Sequence, residues 1–388
     1  MTAYNQTFVR PSAYLTMPFA FPTFRHPPLV THGTGAIKSL AGGDRWPDTV
    51  LFVSGAAPVH AYLGQAWAKA GPALDSIRTV IKPAGEPSWE MCLAAADVLR
   101  NARPRRIVAV GGGAVLDGAR LAWLIAVDAL DANGRLTEQW QERRRHLELV
   151  LVPTTCGSGA EAATIAVLSL DGRKVPVVSP ALLADEVVLD SRFLSSVDEF
   201  TLACSLADAL SHAFEAWMSI VPGRLAKEAA ISCLRLILSD GQAYDRHARL
   251  MDAGFLGGLA AAHCSVGLVH AFAHSIARFG VGHGHANAVA LLPGLRRMLA
   301  RPNAPELLAA IGMTPDGLLS RVSDLIRPAL QRELPSPAAA VLADARDRQQ
   351  LGEVIVADPC MRTSAVTAED LDMEAWLGEI RDRAPAQC

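Results

Sequence analysis

The chain lacks the features that mark several protein classes. No two of its seven cysteines stand in C-x-x-C spacing, and their number is odd. Scattered thiols of this kind fit a reduced cytoplasm better than a disulfide frame. Charged residues make up only 19%, no long run of one sign occurs, and the formal net charge is −3. A basic surface for nucleic acid is therefore not expected. The first residues show no basic start followed by an apolar block, so no secretory signal is read. The longer apolar runs, 121–127, 107–110 and 149–152, fall far short of the ~20 residues that cross a bilayer. The expectation is a cytoplasmic protein acting on a small molecule, with neither nucleic acid nor membrane as partner.

What is present is a large apolar fraction, 51% of 388 residues, enough for two domains with substantial cores. In the first half, short apolar runs alternate with helical patterns. Residues 49–54, 77–81, 106–110 and 148–152 read as strands, and 63–70 and 89–101 as helices. Alternation at this pace predicts an α/β domain with a parallel sheet covered on both faces. After about residue 190 the texture is helical throughout, over 197–219, 225–239, 246–263 and 265–279, with a proline-bearing break between helices at 327–337. The expected domains are an α/β nucleotide-binding domain over 1–193 and an all-α metal-binding domain over 194–388.

Two loops follow strands of the first half. Gly111-Gly112-Gly113 leaves no side chains between backbone and ligand, and the helix behind it offers free N–H groups to a pyrophosphate. The pattern is not G-x-G-x-x-G. The second loop, Pro153 to Glu161 (PTTCGSGAE), joins hydroxyl donors to glycines. Either alone reads equally as a tight turn or a helix cap. Together, after two parallel strands, they make a nucleotide-sized site.

Five of the eleven histidines lie between His263 and His285. Upstream, Asp208 and His212 are i and i+4, on one face of an apolar helix. His270 and His274 repeat that spacing, and Gly282-His283-Gly284-His285 reads as a glycine-rich turn that follows. A buried, unpaired Asp208 is costly. A cation held by Asp208, His212 and two further histidines removes that cost. Three imidazoles and a carboxylate suit iron(II), zinc, nickel or cobalt, and not magnesium or calcium.

In order and in motif these segments resemble the iron-containing (group III) alcohol dehydrogenase family. The resemblance runs from 28–40 (PLVTHGTGAIKSL) through the glycine turn, the Pro153 loop and 208–217 (DALSHAFEAW) to 270–293, with an echo at Ala357-Asp358-Pro359-Cys360. It implies a Rossmann-like N-terminal domain and an all-helical C-terminal domain, the architecture shared with dehydroquinate synthases. It implies an NAD(P)H-linked interconversion of a small aldehyde or ketone and its alcohol, iron(II) as the metal with zinc, nickel or cobalt as alternatives, and a homodimer. The metal ligands carry over onto Asp208, His212, His270 and His283, and the proton relay onto His274. Gly111, Gly112, Gly113 and Asp117 match the pyrophosphate turn. Thr154, Thr155, Ser158 and Lys174 match positions that line the cofactor.

The sequence departs from the family pattern at several places. Ala114, Arg120 and Ala160 replace the usual serine, lysine and serine. The interval from His270 to His283 is one residue short, and Gly282 stands where proline is common. The block 283–287 (HGHAN) aligns His283 as the last ligand, with His285 as its rival. His263, where asparagine is frequent, is read as packing. The stretch Val53-Ser54-Gly55-Ala56, which places Gly55 beside the cofactor, carries no acid to repel a 2′-phosphate, so NADPH is expected to serve as well as NADH. Arg278, His263 and His285 leave room for an anionic aldehyde, for instance one bearing a phosphonate. Two alternatives remain open. A maleylacetate reductase-like activity usually has asparagine at position 208. A dehydroquinate synthase-like lyase expects a basic cluster near the metal, where this chain has Arg278 and Arg297.

Overall fold

The computed structural model describes residues 24–42, 46–68, 76–83, 85–137, 147–170, 173–239 and 245–383. The chain divides into two compact units. The first contains Arg25–Ser196 and Ala243–Phe255; the second contains Val197–Gln242 and Leu256–Cys388.

In the first unit, strands β1 (Leu29–His32), β2 (Thr49–Ser54), β3 (Arg78–Lys82), β4 (Arg106–Gly111), β5 (Glu148–Pro153) and β8 (Glu186–Leu189) form one sheet in the order β1-β8-β5-β4-β2-β3. Every pairing in it is parallel. Helices α1 (Ala57–Trp67), α2 (Trp89–Ala102) and α3 (Gly113–Ala126) are its crossovers. Strands β2, β4 and β5 are continuous apolar runs because they are buried on both faces. Val53, Val108, Val110, Val150 and Val152 join Leu63 and Trp67 of α1 in one core.

The chain leaves β2 toward β3 on one side and leaves β4 toward β5 on the other. The switch point of the sheet therefore falls between the ends of β2 and β4, at Gly55 and Gly111, where such sheets bind ligands. Strands β2, β3, β4 and β5 lie within a residue or two of the positions read from the sequence. Not read from it were β1 and β8, only four residues each, and the antiparallel pair β6 (Ile165–Leu170) and β7 (Arg173–Val178).

The second unit is helical: α4 (Glu199–Met218), α5 (Arg224–Leu238), the latter part of α6 (Arg246–Cys264), α7 (Leu268–Ile276), α8 (His283–Leu299), α9 (Ala304–Ile311), α10 (Pro315–Leu330), α11 (Ser336–Ala343), α12 (Ala345–Ala357) and α13 (Met373–Arg383). Among the described residues no single helix is long and apolar enough to cross a membrane. Two local readings need correction. The segment 283–285 is not a turn but the first turn of α8. The break expected over 327–337 begins later, because α10 runs through Pro328 to Leu330, with the proline removing one N–H bond from the last turn.

Candidate metal centre and nucleotide loops

Helix α4 begins at Asp198, whose carboxylate accepts the Thr201 N–H at 2.9 Å. From Leu206 to Met218 every residue is buried, including Asp208, His212 and Glu215. Spacings of four and seven place these three on one face. Helix α7 supplies His270 and His274, one turn apart, and α8 supplies His283 as its first residue.

Gly284 lets α8 approach α4 closely. A Cβ there would stand 2.8 Å from the Cys204 carbonyl oxygen, on the rigid backbone of α4. That contact sets His283 opposite Asp208.

Three imidazoles converge on one carboxylate oxygen. Oδ1 of Asp208 lies 3.5 Å from Nε2 of His270, 3.5 Å from Nε2 of His283 and 3.8 Å from Nε2 of His212. Donors bound to one ion at about 2.1 Å stand roughly 3.0–3.4 Å apart, so the cage is slightly wider than the ion needs. Asn287, fully buried one turn into α8, donates to Asp208 Oδ1 at 2.7 Å and fixes the carboxylate.

Glu215 accepts the Val269 N–H at 2.6 Å with Oε1, and the Nδ1–H of His270 at 2.7 Å with Oε2. A carboxylate only accepts, so Nδ1 carries the proton and Nε2 faces the cage. That Nε2 is buried and makes no well-formed hydrogen bond. An inward-facing orphan nitrogen beside a carboxylate is what a cation would complete, so the donor set fits a divalent transition metal.

The charges around the cage agree. Burial opposes ionisation of Asp208, but the imidazoles of His212 and His283 and the contacts with His270 and His283 outweigh it and hold the carboxyl well below the usual range. Burial drives His212 down to about 4. Burial also works against charge on His270, yet the flanking carboxylates of Asp208 and Glu215 push it up to about 9. Without a cation, a proton is held where the metal would bind.

Other predicted positions separate cleanly. His285, the rival ligand, packs edge-on against Phe200 with ring centroids 5.3 Å apart, and burial lowers its pKa. His263 meets its own helix, Nδ1 lying 2.8 Å from the Leu259 carbonyl. His274 stands next to the cage, its ring stacked on His283 at 5.7 Å, and its Nδ1 lies 3.2 Å from Oδ2 of Asp358. Glu215 and Asn287 had not been singled out from the sequence. Their signal is spacing: two turns after Asp208 and one turn after His283.

In the first unit the two loops are knit together. Thr154 N–H donates to the Gly111 carbonyl at 3.0 Å. A Cβ on Gly113 would stand 2.6 Å from the Ser158 hydroxyl, so only glycine allows the loops this close. A Cβ on Gly112 would face Thr155 at 3.7 Å. Gly112 is the N-cap of α3, and no side chain caps it. The first N–H groups of α3 remain open to an anion.

Gly55 follows β2 directly, at the switch point. Asp117 and Lys174 are engaged elsewhere. Asp117 bonds buried Arg120 and accepts the Val167 N–H at 2.8 Å, tying α3 to β6. Arg120 also donates to the carbonyls of Ala163 and Ile165 at 2.8 and 2.9 Å. Lys174 pairs with Glu86 at 2.8 Å.

A donor cage suited to a divalent ion, and glycine loops suited to a pyrophosphate, mark a metal- and nucleotide-binding class of protein. The model of the iron-containing alcohol dehydrogenase matches residues 27–191, and that of the family's C-terminal domain matches 202–322. The chain belongs to the iron-containing alcohol dehydrogenase family, and it is an alcohol dehydrogenase by class. It is 33% identical over 246 residues to Long-chain-alcohol dehydrogenase 1 of Geobacillus thermodenitrificans, covering 58% of this chain and 60% of that protein. It is 30% identical over 316 residues to "Probable alcohol dehydrogenase EutG" of Salmonella typhimurium, covering 76% and 78%. A solved sulfoacetaldehyde reductase from Bifidobacterium kashiwanohense, in complex with NAD+, superposes with a TM-score of 0.77 at 19% identity, covering 93% of this chain and 99% of that one. An iron-containing alcohol dehydrogenase from Thermococcus thioreducens does so at 0.75 and 21%, covering 93% and 99%. At these identities the structural matches speak to the fold alone.

Proposed function

We propose that the chain reduces a small aldehyde or ketone to its alcohol with NADPH or NADH, using one divalent ion, iron(II) first among the candidates, held by Asp208, His212, His270 and His283. The observation that carries this reading is the convergence of three Nε2 atoms on Asp208 Oδ1 at 3.5–3.8 Å in a buried cage. When bound, a divalent ion supplies Lewis-acid polarisation of a carbonyl.

The chain's own residues do the rest. Glu215 holds His270 in the tautomer that turns Nε2 inward, and Asn287 keeps Asp208 oriented. His274 bonds Asp358 through Nδ1, which leaves its Nε2 to carry a proton to the nascent alcohol. The Gly111–Gly113 turn and the open N–H groups of α3 bind the pyrophosphate, with Gly55, Thr154, Thr155 and Ser158 lining the same edge. In this reading Asp117 and Lys174 brace the nucleotide unit.

No acid stands at the end of β2, which supports acceptance of NADPH; the NAD+ bound to the Bifidobacterium neighbour supports NADH. An anionic aldehyde is the favoured substrate class. The neighbour's name points there, as does exposed Arg278 one turn beyond His274. Buried His285 adds no charge to it. Iron-loaded protein assayed with both cofactors against neutral, carboxylated and sulfonated aldehydes tests this. Failure to oxidise either cofactor with any aldehyde, in protein holding one iron per chain, overturns the reading.

A further inference from the structure

We propose that His274, Asp358 and Cys360 form a second metal site, distinct from the Asp208 cage and suited to zinc rather than iron(II). The three donors come from two places far apart in the chain. His274 lies on α7; Asp358 and Cys360 flank Pro359 at the turn after α12. Nδ1 of His274 is 3.2 Å from Oδ2 of Asp358 and 3.8 Å from Sγ of Cys360, and all three donor atoms lie within 4.8 Å of one another. A tetrahedral zinc, with bonds of about 2.1 Å to nitrogen and oxygen and 2.3 Å to sulfur, separates N from O by roughly 3.4 Å and N from S by roughly 3.6 Å. The two separations from His274 already stand within about 0.2 Å of those edges.

The arrangement is held by local structure. Asp358 caps the short turn Pro359–Arg362, Oδ1 accepting the Cys360 N–H at 2.8 Å, so Oδ2 is the oxygen left for His274. Pro359 fixes the backbone between the two ligands. The His274 ring is steadied by its stack on His283. Three protein ligands leave a fourth position for water, and a His274 side chain that is 33% exposed gives an ion a way in.

Donor chemistry separates the two sites. The cage offers three nitrogens and one oxygen; this site adds sulfur, which favours zinc and its softer relatives. Burial, with Asp358 beside it, pushes the Cys360 thiol well above its ordinary value, so the free site holds S–H. As the S–Zn bond forms, that proton leaves to solvent, and no electron changes hands. Because the proposed function gives proton delivery to Nε2 of His274, zinc bonded to its Nδ1 would change the acidity of that proton and with it turnover. The metal site itself does not depend on that reading.

Iron-loaded protein titrated with cobalt(II) tests the proposal. Only a thiolate ligand produces sulfur-to-cobalt charge-transfer absorption, and the cage contains no sulfur. The expected result is a band that saturates at one cobalt per chain with the iron retained, and that zinc then abolishes by competition. Cys360→Ser should lose both the band and the second ion while keeping the iron. Cys204→Ser, a control for the thiol one turn before Asp208 on α4, should keep both. Asp208→Ala should lose the iron and keep the band, so failure of the cage is read apart from failure of this site. Absence of the band, its survival in Cys360→Ser, or cobalt uptake only by displacement of iron would overturn the proposal.

Discussion

Glu215 touches no substrate in this account, yet replacing it with glutamine should cripple metal retention. Its carboxylate accepts two buried hydrogen bonds, from Val269 N–H at 2.6 Å and His270 Nδ1–H at 2.7 Å. Glutamine has one oxygen and one NH2 group. If the oxygen keeps Val269, the NH2 faces Nδ1. His270 must then shift its proton to Nε2, where it blocks the lone pair the metal needs. If the oxygen keeps His270, the NH2 confronts Val269 N–H in a buried site. Either way one charge-assisted bond is lost, about 1.5–3 kcal/mol. That agrees with the 10–100-fold loss of affinity usual for partners that orient metal-bound histidines. Chelator competition on the metal-free chain measures it directly, with thermal melts to confirm that Glu215→Gln still folds. Affinity within about threefold of the parent, a difference of ~0.6 kcal/mol, would refute the orienting role.

Four further outcomes follow from the same geometry. His270→Ala or Asp208→Ala should abolish iron retention and most turnover; metal analysis after gel filtration decides, and full activity without iron contradicts the cage. Metal affinity should rise with pH. The Nε2 proton that Asp208 and Glu215 hold on His270 up to about pH 9 must leave first, at a cost of about tenfold in affinity for each pH unit below that value; an affinity flat from pH 7 to 9 would argue against it. Gly284→Ala forces a Cβ to 2.8 Å from the Cys204 carbonyl; it should cost about 1–3 kcal/mol in stability and weaken metal binding, whereas parent-like melting and affinity would show that the helices have room. In the first unit, burial lifts Glu161 to about 7. A carboxyl raised in the folded state gives stability that is complete below its ordinary value near 4.5 and lost as pH rises through 7. Glu161→Gln should therefore match the parent at about pH 4 and exceed it by up to ~3 kcal/mol at about pH 8.5 in urea unfolding; equal stability at the higher pH would remove the premise.

Much of the site was legible because its chemistry repeats at helical spacing. Asp208 with His212, and His270 with His274, are turn-spaced pairs in otherwise apolar helices, where an ionisable group needs a reason to stay. The glycine loops were legible because each follows a buried strand, and the sheet order then put Gly55 and Gly111 at one switch point. Other features carried no local signature. Strands of four residues, β1 and β8, are too short for alternation to show. Asp117 matched a phosphate turn by position, yet it holds Arg120 and β6, a role set by a strand some fifty residues later. The choice between His283 and His285 rested on helical phase. Once 283–285 is the first turn of α8, the two side chains point to different faces, and only that of His283 meets Asp208. Asp358 and Cys360 reach His274 across more than eighty residues, which no spacing rule reveals.

The proposed cage holds one ion among Asp208, His212, His270 and His283. It is tested most directly by anomalous diffraction at the iron absorption edge from crystals of iron-loaded protein. The expected result is a single strong peak about 2.1 Å from Asp208 Oδ1 and from the Nε2 atoms of His212, His270 and His283. A peak bonded to other residues, or none at the cage in protein that carries one iron per chain, would contradict it.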